Sequence, residues 1–379
     1  MSSVGQDTEF FCFDTVRGHC VPAHSLGIKK EKSKIDYYGS YFRDGYAIEF
    51  NTPPSTCRAG IWENLARVME YVKLNVLPKH IQLITDPVTN IDLEELKSAP
   101  ADLKVLGCNP TFDAYKQQEK IVNVDPMTLP FRTTGAHMHF SFNSNDSVNS
   151  TEKHTLAELG ILAKYCDLMI GLPFTIIFGD DKEFQRRTLY GTAGEFRQQH
   201  YSKDCYGQDI NGFEYRVLSS RLYQHPGVFG LFFGIFKYLC QQRNVLFTAG
   251  WNDKLNKPLV RAINTGVGAL GLLQEFSNAM ALYTKFDVEG MNGIGYIPKD
   301  WAAAIIKMRD MRQTNAIIDK FQMWDGQLYA HWGWSEYNDH NKIDPSIPRS
   351  KSYYGTKMTG ARISTATQQP LIKEEPWLL

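Results

Sequence analysis

Residues 135–143 read Gly-Ala-His-Met-His-Phe-Ser-Phe-Asn and run into the polar turn Asn143-Ser144-Asn145-Asp146-Ser147. The stretch alternates, is rich in Phe and is closed by turn formers, so it predicts a β-strand. In a strand, residues i and i+2 project from the same face. His137 and His139 therefore look into one volume, as two metal ligands or two ligand-binding groups would. Two histidines hydrogen-bonded on a half-exposed sheet satisfy the same pattern.

The i,i+2 geometry recurs along the chain. Strands are expected at 8–13 (TEFFCF), 46–51 (YAIEFN) and 212–218 (GFEYRVL). They place Asp7 with Glu9, Glu49 with Asn51, and Glu214 with Arg216 on shared faces. Glu195 and Arg197 join them if GEFR is extended. Each pair alone reads as the wet side of a sheet, and the intervening Phe50, Tyr215 and Phe196 predict a buried opposite side. Brought into one sheet, the polar face would carry several carboxylates, two histidines and several arginines. Crowded carboxylates need cations to neutralise them. Carboxylate oxygens with an imidazole suit Mg²⁺ or Mn²⁺, and guanidinium forks beside them suit phosphate or carboxylate. That combination points to phosphoryl chemistry without a nucleophilic side chain.

Between these strands, apolar residues recur at helical spacing from Ile61 to Val76, after a break expected at Pro53-Pro54-Ser55-Thr56. A second helix is expected over 151–170, ended by Gly171 and Pro173, and further helices at about 226–243, 258–267, 268–284 and 298–323. Short strands separated by helices predict an α+β fold. A catalytic domain over 1–285 would be followed by a helical and irregular extension, 286–379, packed upon it.

Composition narrows the function classes. The chain has 379 residues, 43% of them hydrophobic, enough for a substantial core. Lys+Arg and Asp+Glu are both 41, and a zero net charge disfavours a nucleic-acid partner gripped by its backbone. No run is long enough to span a bilayer, and the polar N-terminus lacks a secretory pattern, so the expectation is a cytoplasmic protein with no membrane partner. The seven cysteines are scattered without C-x-x-C, which argues against a disulfide scaffold or a cysteine zinc site. Neither G-x-x-x-x-G-K-[ST] nor a strand-borne G-x-G-x-x-G is present.

The motifs occur in a particular order. Gln6-Asp7-Thr8-Glu9-Phe10-Phe11 comes first, then the lysine loop Lys29–Lys34, Asp44-Gly45 through Asn51, and Gly135–His139. Arg187-Thr188-Leu189-Tyr190-Gly191, Gly194-Glu195-Phe196-Arg197 and Phe213–Ser219 follow. The series resembles the phage-encoded carboxylate–amine ligase (amidoligase) type 2 family, related to glutamine synthetase and glutamate–cysteine ligase. The resemblance covers roughly 5–225 and departs at Thr8, where the family usually has Pro. It implies a curved antiparallel sheet whose concave face binds ATP with Mg²⁺ or Mn²⁺, flanked by helices. It further implies phosphorylation of a carboxylate to an acyl phosphate, which an amine attacks with release of ADP and phosphate.

On that resemblance Glu9, Glu49, His137 and Glu214 are the metal-ligand candidates. Arg216, Arg197 and Arg187 would hold the γ-phosphate or substrate carboxylate, and His139 would sit beside the nucleotide phosphates. Glu195 would be a further ligand or the proton acceptor. The amine could come from an amino acid, peptide, protein, polyamine or modified base, and the chain could act as a homo-oligomer. Two other classes compete: a metal-dependent hydrolase, and a non-catalytic phage-associated binding protein that keeps the fold.

Overall fold

The computed structural model describes residues 3–283 apart from 56–57, 105–110, 123, 143–153, 202–209 and 225, together with 305–306 and 308–310. The strands in chain order are β1 (Val4–Asp14), β2 (His19–Val21), β3 (Ser33–Ile35), β4 (Gly39–Asp44), β5 (Ala47–Ser55), β6 (Ile81–Ile84) and β7 (Val88–Asn90). They continue as β8 (Thr111–Asp113), β9 (Gln118–Lys120), β10 (Phe131–Thr133), β11 (Ala136–Ser141), β12 (Glu195–Tyr201) and β13 (Ile210–Tyr215). The helices used below are α1 (Arg58–Asn75), α2 (Leu93–Ser98), α3 (Leu156–Cys166), α4 (Leu172–Phe178), α5 (Asp181–Arg186) and α6 (Pro226–Gln241).

An 11-stranded sheet dominates, in the order β3-β4-β5-β1-β11-β13-β12-β8-β9, with β2 and β6 also pairing β1. Its pairings are antiparallel. Strands β7 and β10 form a separate two-stranded ribbon. The fold is therefore α+β with a large antiparallel sheet.

One face of the sheet is apolar. Phe10, Ile48, Phe50, Met138, Phe140, Phe196, Phe213 and Tyr215 are all at most 1% exposed. Helix α1 packs on β4 and β5, α3 on β12 and β13, and α6 on β11. Each buried aromatic or aliphatic side chain stabilises the fold by about 1.5–3 kcal/mol, so this face anchors the sheet and leaves the other free for polar groups. The second half of β1 is buried on both sides, because Phe11 packs with Cys20, Tyr46 and Ala47 away from the main core.

Three expectations need correction. Pro53 and Pro54 do not break the chain; they lie inside β5. Pairing with β4 ends at Asn51, and the β1 register shifts between Val4 and Gln6, so the ladder asks no N–H of either proline there. Where β4 begins, Gly39 has φ 144° and a Cβ would stand 2.2 Å from the Asn51 carbonyl oxygen, which leaves room only for glycine.

The second correction concerns the helix over 151–170. It begins after Thr155, which forms a capping box with Glu158, and residues 151–153 lie outside the described residues. Gly171 and Pro173 do not end it. A π turn over Asp167–Gly171 carries the chain into α4, where Pro173 falls in the first turn and its missing N–H costs nothing. The whole stretch, Leu156–Phe178, is long and apolar enough to cross a membrane by composition, yet 89% of its most apolar window is buried inside the fold.

Third, the strand expected to reach Leu218 stops at Tyr215, so Arg216 follows it directly. The expected extension over 286–379 lies outside the described residues save for 305–306 and 308–310. Ile305 and Met308 belong to the main core cluster.

Candidate active site

The register sets the site. Asp7 on β1 lies opposite His137 on β11 and Asn51 on β5, while Glu9 lies opposite Glu49. Across β11, His139 lies opposite Glu214 on β13, and Glu214 lies opposite Arg197 on β12. Because pairs directly opposite share a face, these side chains all emerge on the side away from α1, α3 and α6. A cleft of about 300 Å³ on this face is lined by Asp7, Glu9, Asp44, Glu49, His137, Arg197, Glu214 and Arg216, among others.

Two ligand sets stand on this face. Glu9, Asp44 and Glu49 bring carboxylate oxygens within 4.8 Å of one another, and Asp7, His137 and His139 do the same with a carboxylate and two imidazoles. His139 Nε2 is 2.9 Å from Asp7 Oδ2. Asn51 donates to Asp7 at 2.5 Å and to Glu49 at 2.8 Å, so it spaces the two sets. The Gly135 N–H donates to Glu9 at 2.7 Å.

Burial and crowding act together on the first set. Burial, then the nearby Asp44 carboxylate, push Glu9 up to about 8. Burial and then the Asp7, Glu9 and Asp44 carboxylates hold Glu49 well above the carboxylate range, and burial raises Asp44 too. In the second set burial and then Arg216 hold His137 well below its usual value, so it is neutral and has a lone pair to give. Burial works against a charged His139, but the Asp7 carboxylate outweighs it and the net shift is upward. Asp7 shifts downward in turn, because His139, Lys32 and Asn51 outweigh its burial.

Glu214 plays a different part from the one expected. Its oxygens meet Arg216 and Gln199 closely, with Arg197 at 3.4 Å and His137 Nδ1 at 3.5 Å. It thus orients two guanidinium groups and one imidazole, and it stands outside both ligand sets. The expected single set of Glu9, Glu49, His137 and Glu214 is accordingly divided. Glu9 and Glu49 go with Asp44, and His137 goes with Asp7 and His139. Tyr190 OH stands 2.6 Å from His137 Nε2 and also meets Arg216.

Three expected site residues are not among those lining the cleft: His139, whose ring sits against Asp7, Arg187 and Glu195. Arg187 follows α5 and is buried, with its guanidinium bound to Thr175 Oγ1 at 2.7 Å, to the Ile263 carbonyl, and ion-paired to Glu183 at 3.4 Å. Helix α5 turns it toward α4 and away from the polar face. Glu195 is 0% exposed. Its Oε1 accepts from Lys120, from the Thr192 hydroxyl at 2.7 Å and from the Thr192 N–H at 3.1 Å, and its Oε2 accepts from the Gly191 N–H at 3.1 Å. A carboxylate so bonded clasps the 191–195 turn.

Asp44 and Asp7 are the ligand candidates that the sequence reading did not assign. Asp7 was already paired with Glu9 by period two. Asp44 was legible from the Asp44-Gly45 turn, because a hairpin there sets Asp44 opposite Ala47 and so on the same face as Glu49.

Carboxylates and imidazoles in these two sets fit Mg²⁺ or Mn²⁺. The raised carboxylates fit it as well, since a divalent cation would offset the burial that raises all three and the mutual repulsion that adds to it at Glu9 and Glu49. Neither protein-family models nor curated proteins give a match to the chain.

Proposed function

We propose that this chain is an ATP-dependent carboxylate–amine ligase built on a glutamine synthetase-like sheet. One observation carries the reading: two adjacent carboxylate and imidazole sets on a single polar sheet face, bordered by Arg197 and Arg216. Such a face matches a nucleotide whose terminal phosphates are held by divalent cations and arginines.

In this reading Glu9, Asp44 and Glu49 hold one cation and Asp7, His137 and His139 hold a second. Glu214 keeps Arg216 and Arg197 aimed at the cleft, where their charge stabilises a transferring phosphoryl group. Tyr190 fixes the His137 ring and the Arg216 fork together. ATP, when bound, supplies the phosphoryl group that activates a carboxylate for attack by an amine.

The test is product analysis with Mg²⁺ across candidate acids and amines. ADP and phosphate should appear only when an acid is present, and hydroxylamine should trap a hydroxamate when the amine is withheld. Acid-dependent release of pyrophosphate would sink the mechanism, even if amide formed.

A further inference from the structure

The structure's buried arginines come with carboxylates: Arg67 with Glu63, Arg186 and Arg187 with Glu183, Arg216 with Glu214, Arg221 with Asp180. Arg132 does not. It is 7% exposed, lines the cleft, and has no carboxylate partner among the described residues. Its bonds go to backbone carbonyls of its own loop. Nη1 donates to Leu129 at 3.0 Å and Phe131 at 2.9 Å, and Nη2 donates to Pro126 at 3.1 Å.

A guanidinium has five N–H donors. Three are used, which leaves Nε–H and one Nη2–H. Nε and Nη2 share one edge of the group, an edge of the kind that a carboxylate meets with two parallel bonds. A charge placed out of water without a counter-charge is costly, so an anion at this edge completes the site. Burial lowers Arg132's pKa, and the nearby Tyr46 phenol opposes it in part.

The position selects the ligand. Arg132 stands on the β7–β10 ribbon, outside the sheet that bears the two ligand sets. Its surroundings are partly apolar: Leu189, packed on Phe131 and Leu129, lines the same cleft. We infer that Arg132 binds a second carboxylate of the acid substrate, its apolar spacer against Leu189 and its reacting carboxylate toward the metal-bearing face. The words "acid substrate" rest on the ligase reading; binding of a dicarboxylate at Arg132 does not.

The test is calorimetric titration of the full chain, with Mg²⁺ present and ATP absent, against glutarate, butyrate and inorganic phosphate. Wild type should bind glutarate about tenfold or more tightly than butyrate, the discrimination expected of a charge-assisted bond. Arg132→Met should erase that preference while thermal melting and Mn²⁺ binding show an intact fold. If Arg132→Met does not fold, Arg132→Lys, which keeps the charge but not the fork, should reduce the preference at least about fivefold. A preference unchanged in either folded variant overturns the assignment. So does a loss confined to phosphate. A glutarate preference that depends on Arg132, in a protein that turns over no ATP with any acid, would uphold the subsite and refute the ligase.

Discussion

Asp44 is the residue on which the metal reading turns. It shares a space of a few ångströms with Glu9 and Glu49, and burial raises all three. Removing one charge should relax the others. Asp44→Asn is expected to raise the melting temperature of the metal-free protein while weakening Mn²⁺ binding by at least about tenfold, a loss typical even of residues that only support a ligand. Mn²⁺ titration followed by electron paramagnetic resonance reads the second effect, and unchanged affinity would remove Asp44 from the site. The arginines give a complementary contrast. Arg187→Met should destabilise the protein by about 1 to 3 kcal/mol, since it takes one of two guanidinium partners from the buried Glu183 and a donor from the Ile263 carbonyl, and should leave Mn²⁺ affinity of the folded protein intact. Arg216→Lys should do the reverse, keeping the melt and losing turnover, because a point charge cannot replace the fork held between Glu214 and Tyr190. Denaturant melts and ATP turnover on both variants separate the two roles.

Among elements, the π turn between α3 and α4 makes the sharpest prediction. It carries Asp167, which is fully buried behind the sheet and accepts from Tyr215 OH at 2.7 Å. Burial raises its pKa from 3.8 to about 7, a gap of ~4 kcal/mol between its two protonation states. A carboxyl raised in the fold contributes stability fully below its unfolded value, and that contribution is lost as pH rises through the folded value. Wild type should therefore lose stability between about 3.8 and about 7 relative to Asp167→Asn, which keeps an acceptor for Tyr215 and does not titrate. Parallel pH profiles that never converge or cross would contradict this. The same stretch shows what sequence pattern could carry. Leu156, Leu159, Leu162, Cys166 and Met169 announced a buried helix face; Leu156, in the first turn, is 41% exposed, and the other four are buried. Gly171 and Pro173 announced an end, but a π turn and a first-turn proline are tertiary accommodations that periodicity does not encode. Strands were legible for the reverse reason, since period two separates Phe10, Phe50 and Phe213 from Glu9, Glu49 and Glu214 without reference to neighbours. Which carboxylates meet was not legible, because that depends on register between strands. Arg187 and Glu195 were misplaced because their partners, Ile263 and Lys120, are far off in sequence.

For the molecule as a whole, the sheet order sets the kinetics. Strand β1 pairs β5 on one side and β11 on the other, and β11 in turn waits for β13. Chains dominated by such non-local pairing close large loops before contacts reward them, and they fold in milliseconds to seconds or slower. Refolding from denaturant, followed by tryptophan fluorescence with Trp62 buried against Phe229, should be at least that slow. A half-time below about a millisecond would mean that the native pairings are not limiting. The central place of β1 has a further consequence on the ribosome. Strand β1 leaves the ribosome well before both of its edges can be covered, since residues 136–140 must emerge before Val4–Thr8 have that partner. At about 5 to 20 residues per second, the nascent chain holds an apolar, unpaired β edge in the open on the order of ten seconds. In the cell, the yield of this protein is thus expected to depend on chaperones that shield β1 and on translation speed between β1 and β11.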